Sequence, residues 1–341
     1  MANKLGSSME ETTGSIMAVP TNIITGFLGV GKTSAILQLL KTKPVSERWA
    51  VLVNEFGEIG VDGSLFAGQH TEEQRVYIKE VPGGCMCCAA GLPMQIALNQ
   101  LLARSKPNRL LIEPTGLGHP FEVLEVLTSD VYKQILDLQK TITLVDARKL
   151  SDERYTQHQT FNQQIAMADV VVGNKQDLYQ GVEKSILLEY VKQHSRPDVR
   201  VEFTEYGRLD NELLVGKGTF ELKMTHHHHH IKDPKPLLFE QPIPEGGYLK
   251  ATNQGEGYQS VGWRFGPENT FDRKKLFVFF SGLIVERMKA VFITSEGIFG
   301  YNLTDDALTE MVLDDCFESR IEVIYHEGNE NLESDLMYCI V

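Results

Sequence analysis

From Thr21 to Lys192, short continuous apolar runs alternate with stretches whose apolar residues recur at helical spacing. The runs Thr21–Thr25, Ala50–Asn54, Arg109–Glu113, Thr141–Asp146 and Val170–Asn174 have the length and composition of strands buried on both faces. Between them, Ser34–Leu40, Met94–Ala103, Phe121–Leu127, Phe161–Met167 and Val182–Lys192 read as helices. Strands alternating with helices predict an α/β fold: a doubly wound, mainly parallel sheet covered on both sides. In such a sheet, polar residues at the C-terminal ends of strands face the ligand crevice.

The pattern changes beyond Val215. Residues 216–245 carry five consecutive histidines, His226–His230, then Pro234, Pro236, Pro242 and Pro244, and read as a linker. From Gly246 onward, Tyr258–Phe265, Ala290–Thr294, Gly297–Tyr301 and Arg320–Tyr325 read as antiparallel strands, and Phe271–Leu283 as a helix. The expected organisation is a flexible tail over 1–19, a nucleotide-binding domain over 20–215, the linker, and a smaller α+β domain over 246–341.

The chain has 341 residues, 42% of them hydrophobic, and a net charge of −13. The hydrophobic share supports a buried core. The negative charge argues against nucleic acid and anionic membrane as partners. No apolar run approaches the roughly 18 residues of a membrane span, and the polar start has no signal-peptide core, so a cytoplasmic protein is expected.

Gly26-Phe27-Leu28-Gly29-Val30-Gly31-Lys32-Thr33, with Ser34 after it, is a complete phosphate-binding signature between a strand and a helix. Its glycines let backbone N–H groups approach phosphate oxygens. Lys32 is expected to reach the β- and γ-phosphates, and Thr33 to bind Mg²⁺. Asn174-Lys175-Gln176-Asp177 follows another strand. An aspartate there accepts from the N–H edge of guanine, and a buried one would be left partly unpaired by adenine, so GTP is the expected nucleotide. The loop Phe203–Gly207 is a weaker candidate for base contact. Glu113 ends a strand and is placed to hold the Mg²⁺ shell or orient water. Gly116 is placed to approach the γ-phosphate. Lys32, Thr33 and Glu113 are the catalytic candidates. Asp146 ends a further strand and reads as structural.

Gly83-Gly84-Cys85-Met86-Cys87-Cys88 places three of the chain's five cysteines within four residues. Thiolates select a soft ion such as Zn²⁺, with Co²⁺ or Ni²⁺ as options, over Mg²⁺ or Ca²⁺. Three sulfurs leave one position of a tetrahedral site for Glu55, His119 or water. A dithiol–disulfide pair and a structural role are the alternatives. Cys316 and Cys339 stand alone and read as ordinary residues. His70, His158, His194 and His326 read as solvent-facing. The His226–His230 run suits a metal-collecting tether or a neutral polar linker.

Together these residues resemble the CobW-type family of P-loop GTPase metallochaperones. The resemblance rests on the phosphate loop, Asn54-Glu55-Phe56-Gly57, the Gly-Gly-Cys-Met-Cys-Cys element, Glu113-Pro114-Thr115-Gly116-Leu117 and Asn174–Asp177. Phe279–Thr294 resembles the family's C-terminal helix–strand unit. Pro114 and His119 depart from its commoner residues, and the short C-terminal domain and histidine run resemble its zinc-binding branch. The resemblance implies GTP hydrolysis that gates delivery of Zn²⁺ to a client apo-metalloprotein, with a homodimer as an option. A nucleotide-stabilised metal buffer or sensor, a cobalt or nickel insertase, and a redox GTPase are the rival readings.

Overall fold

The computed structural model describes residues 18–54, 75–81, 92–118, 120–219, 242–244, 247–255, 257–304, 307–313, 316, 318–326 and 331–341. In chain order, the first part contains β1 (Val19–Gly26), α1 (Lys32–Thr42), β2 (Trp49–Asn54), β3 (Val76–Val81), α2 (Leu92–Ser105), β4 (Arg109–Glu113), α3 (Pro120–Leu127), β5 (Leu136–Leu138) and β6 (Ile142–Asp146). It continues through α4 (Glu153–Thr156), α5 (Gln159–Ala166), β7 (Val170–Asn174), α6 (Glu183–His194) and β8 (Arg200–Phe203). The second part contains β9 (Tyr248–Gly255), β10 (Tyr258–Phe265), α7 (Arg273–Ser281), β11 (Arg287–Thr294), β12 (Gly297–Leu303), β13 (Leu308–Leu313), β14 (Ser319–Tyr325) and α8 (Leu332–Met337).

β1 to β8 form one parallel sheet in the order β3-β2-β4-β1-β6-β7-β8, with β5 added beside β1. Every residue of β6 and β7 is buried, as expected of strands covered on both faces. One face buries Ala35, Ile36 and Leu39 of α1 and Leu187 of α6; the other buries Met94, Leu98 and Leu101 of α2 and Val123 and Leu127 of α3. Gly173 of β7 is required by packing, since a Cβ there would lie 2.7 Å from the Phe203 ring and 2.8 Å from Leu187. The chain crosses from one side of β1 to the other between β4 and β6, so β1 delivers the phosphate loop at the point where strand order reverses.

β9 to β14 form a separate antiparallel sheet in the order β13-β12-β11-β14-β10-β9. Its two faces differ, as period-two alternation dictates. Val261, Trp263, Phe265, Met288, Ala290, Phe292, Ile321 and Val323 turn to Leu276 and Phe280 of α7 and Leu332 and Leu336 of α8. Tyr258 and Ile324 turn the other way and join the core of the parallel domain. The helices and strands expected from the sequence are present. β3, β5, β8, β9, β13, α4 and α8 have no counterpart in the sequence pattern, because each is short, polar or weakly alternating, and neighbours complete it. His158 and His326 depart from the solvent-facing reading. Both are half-buried, His158 edge-on to Phe27 at 4.7 Å and His326 against Tyr258 at 4.0 Å.

Phe292 contacts Phe271 at 4.5 Å in the middle of the second core. Phe292→Ala should cost about 3–5 kcal/mol of stability, read as a lower urea midpoint for the C-terminal domain. Burial pushes the Cys339 thiol up to about 11. An unfolded thiol ionises lower, so this contribution is intact below that range and is lost as pH rises through the folded value. Cys339→Ala should remove that part of the alkaline loss of stability in urea titrations.

Candidate functional site

The loop from β1 to α1 keeps the backbone shape that a phosphate cradle needs. Gly31 is the N-cap of α1 at φ 95°, and no side chain caps the helix, so its first N–H groups remain open toward the crevice. A Cβ at Gly31 would meet the Asn174 amide nitrogen at 2.6 Å, so only glycine fits. Phe27 is fully buried and anchors the loop edge-on to Tyr155 at 5.1 Å and Phe161 at 6.0 Å. Leu28 and Val30 are also buried. The hydrophobic residues of the motif therefore hold the loop from beneath, while its backbone faces the crevice.

Lys32 is 5% exposed, and its ammonium donates to the Phe27 carbonyl at 3.0 Å. The Thr33 hydroxyl donates to Glu113 Oε1 at 3.0 Å, joining α1 to the end of β4. Glu113 is buried, and the two oxygens form a hard-donor pair of the kind Mg²⁺ selects, so these residues fit that ion. Gly116 lies close to Lys32: a Cβ there would come within 3.1 Å of the ammonium. Its carbonyl accepts from the Gln164 amide at 3.0 Å, which fixes the turn after β4. Lys32, Thr33, Glu113 and Gly116 are thus brought together from three elements; Ser34 occupies the next position on α1.

The second recognition loop is tied to the first by Asn174. Its amide donates to the Val30 carbonyl at 2.8 Å, and its Oδ1 accepts from the Gly207 N–H at 3.1 Å. One side chain thereby links the phosphate loop, the end of β7 and the loop after β8. Gly207 packs against α1, where a Cβ would come 2.7 Å from the Ala35 nitrogen. The Phe203–Gly207 segment, weakly marked in sequence, is therefore part of this framework. Lys175 takes a left-handed backbone conformation at φ 60°, and its ammonium lies 3.7 Å from the buried Asp146 carboxylate. Asp146 also pairs with Arg148 at 2.5 Å and caps the turn after β6, in line with its structural reading. Asp177 is exposed, so any penalty for leaving it unpaired arises only when a base covers it.

Cys85, Cys87, Cys88, Glu55, His119 and the His226–His230 run lie outside the described residues. Among the described residues there is no group of three or more His, Cys, Asp or Glu side chains placed to hold a metal ion. No described helix is long and apolar enough to cross a membrane. One contact had no signal in any sequence motif: Lys289 of β11 donates to Thr33 Oγ1 at 3.0 Å. Nothing in the local pattern of Arg287–Thr294 distinguishes that lysine from others.

A parallel sheet with a glycine loop after its central strand, a Thr–Glu pair beside the loop and an Asn-Lys-x-Asp segment across the crevice defines a P-loop nucleotide-binding protein. The family model described as CobW/HypB/UreG, nucleotide-binding domain, matches residues 20–201, and the chain belongs to that family. It is 42% identical over 310 residues to "Zinc chaperone YeiR" of Escherichia coli K12, covering 89% of this chain and 92% of that protein. It is 30% identical over 196 residues to "Zinc-regulated GTPase metalloprotein activator 1" of Schizosaccharomyces pombe, covering 57% and 47%. Among solved structures, Zn(II)-bound YjiA GTPase from E. coli aligns over 94% of this chain and 99% of its own at 18% identity, with a TM-score of 0.41.

Asn174→Ala should strip partners from the Val30 carbonyl and the Gly207 N–H, both in buried contacts. The expected loss is about 1–3 kcal/mol of stability for each group left unpaired, measured by chemical denaturation without nucleotide.

Proposed function

We propose that this protein is a GTP-hydrolysing zinc carrier that delivers Zn²⁺ from Cys85, Cys87 and Cys88 to a client apo-metalloprotein in the cytoplasm. The observation that carries the reading is the alignment of three strand ends. Asn54 pairs in register with Val81, and Val53 with Glu113. The segment with Glu55 begins directly after Asn54, and Cys85 lies four positions beyond Val81. Both segments therefore leave the sheet at the edge where Glu113 holds Thr33. Glu113 is thus linked through the β4–β2–β3 ladder to Val81, four positions before Cys85.

In this reading the backbone N–H groups of Gly26–Thr33 and the first turn of α1, with Ser34, hold the nucleotide phosphates. Lys32 gives up the Phe27 carbonyl and pairs with the β- and γ-phosphates. Thr33 and Glu113 would hold Mg²⁺, which would supply positive charge against the nucleotide phosphates, and Gly116 would sense the γ-phosphate through its N–H. Lys175 lies along the base and Asp177 accepts from its N–H edge, with Asn174 keeping both loops in place. Hydrolysis removes the γ-phosphate contacts that order the segments after Asn54 and Glu113, which alters the thiolate geometry around the cargo ion. Glu55 or His119 completes the tetrahedron, and its exchange for a client ligand lets zinc leave. The names of the relatives support zinc as the cargo.

Three measurements test this. Zinc affinity and the rate of transfer to an apo acceptor should differ between the GDP state and a non-hydrolysable GTP analogue; equal values in both states would sink the coupling. Cys87→Ser should lower zinc content after anaerobic purification while leaving nucleotide affinity intact. Asp177→Ala should weaken GTP by roughly 10-fold or more, consistent with about 1–3 kcal/mol per unpaired group, while ATP stays weak.

A further inference from the structure

The antiparallel sheet turns a charged face toward the phosphate loop, and Lys289 is the residue that arrives. It is 6% exposed, and it stands opposite Glu322 in the β11–β14 ladder. Residues on this face point away from the α7–α8 core, as shown by Ile324, which sits opposite Arg287 and packs into the parallel domain. The Thr33 hydroxyl has one hydrogen and lone pairs to offer. Its hydrogen goes to Glu113 and a lone pair receives the Lys289 ammonium. The oxygen that would serve Mg²⁺ thus already carries a cation from the other domain.

The surrounding seam is tight. Tyr155, after β6, donates to Glu286 Oε1 at 2.6 Å just before β11, and Thr304 lies near the phosphate loop, 3.8 Å from where a Gly29 Cβ would stand. The cleft between Leu28, Gly29, Asp146 and Lys175 on one side and Glu286 and Thr304 on the other has a volume of about 10 Å³, roughly one water. Pockets that enclose a small-molecule ligand run to about 300–1,000 Å³. This cleft would have to widen before a nucleotide could pass between Leu28–Gly29 and Glu286–Thr304.

We infer that Lys289 is a stand-in cation for the phosphate site: it holds Thr33 when no Mg²⁺-nucleotide is present and must release it on loading, so that nucleotide binding drives the C-terminal sheet away from the phosphate loop. The inference rests on the reading of Thr33 as a Mg²⁺ ligand. Its physical basis is that two cations compete for one hydroxyl oxygen in a buried seam, where like charges repel strongly. Glu322, opposite Lys289 in the β11–β14 ladder, moves with it on the same sheet. By linkage, any partner that lifts the C-terminal sheet raises affinity for Mg²⁺-nucleotide by the same factor that nucleotide raises affinity for that partner.

The test uses the full chain and a fluorescent GTP analogue titrated with Mg²⁺. Lys289→Met keeps the length and removes the charge; Lys289→Arg keeps the charge. The Mg²⁺ midpoint for nucleotide binding should fall in Lys289→Met by a factor within about 5- to 150-fold, the usual range of coupling between sites, and stay near wild type in Lys289→Arg. In wild type, hydrogen exchange of the turn at 283–287 should speed up on adding Mg²⁺ and a non-hydrolysable GTP analogue; this second readout needs no variant. A Lys289→Met protein that unfolds at the wild-type temperature but shows an unchanged or higher Mg²⁺ midpoint overturns the inference. So does a turn whose exchange ignores the nucleotide. Wild-type protein that binds no guanine nucleotide at any Mg²⁺ concentration defeats the GTPase reading and this inference together, whereas normal binding with an unchanged midpoint defeats only the role of Lys289.

Discussion

The loop between β1 and α1 must leave backbone N–H groups unpaired at the mouth of a crevice, and a folded chain tolerates that only if the loop is held rigidly from other directions. Here it is held from four. Phe27 sinks into an aromatic cluster with Tyr155, Phe161 and Tyr258. Asn174 clamps the Val30 carbonyl, Glu113 takes the Thr33 hydroxyl hydrogen, and Lys289 takes its lone pair. One of these four anchors, Lys289, comes from the C-terminal sheet, and so does Tyr258 in the aromatic cluster around Phe27. The second domain is therefore part of what shapes the phosphate site.

This arrangement gives the molecule a mechanical logic. The parallel sheet sets three strand ends side by side, and the segments leaving them carry the acid, the thiols and the turn with Gly116. The antiparallel sheet closes the opposite wall of the crevice with Glu286, Thr304 and Lys289. The energy for switching comes from differential contact with the two states. The polar contacts at Thr33 and Lys32 are the ones a nucleotide would replace.

Much of this was legible in the chain. The phosphate loop and the Asn-Lys-x-Asp segment are local patterns whose chemistry depends on residues adjacent in sequence, so spacing alone locates them. Glu113 was legible because a carboxylate ending an apolar run must face the crevice of a parallel sheet. Gly207 was only faintly legible, since its role depends on contact with Asn174 and α1. Lys289 was not legible at all: it lies 256 residues from Thr33, and only the docking of one sheet on the other creates the contact. His158 shows the same limit on a smaller scale, for its ring looks polar in sequence yet packs against Phe27.

The sequence by itself determined the class of fold and the phosphate-binding loop, because each follows from residue chemistry at short spacing. Tertiary structure alone decided which side chains hold the loop, which strand ends share an edge, and which domain supplies the cation beside Thr33. Those depend on strand order and on the packing of two separate sheets. No local pattern encodes the distance between residues that meet only when both sheets have formed.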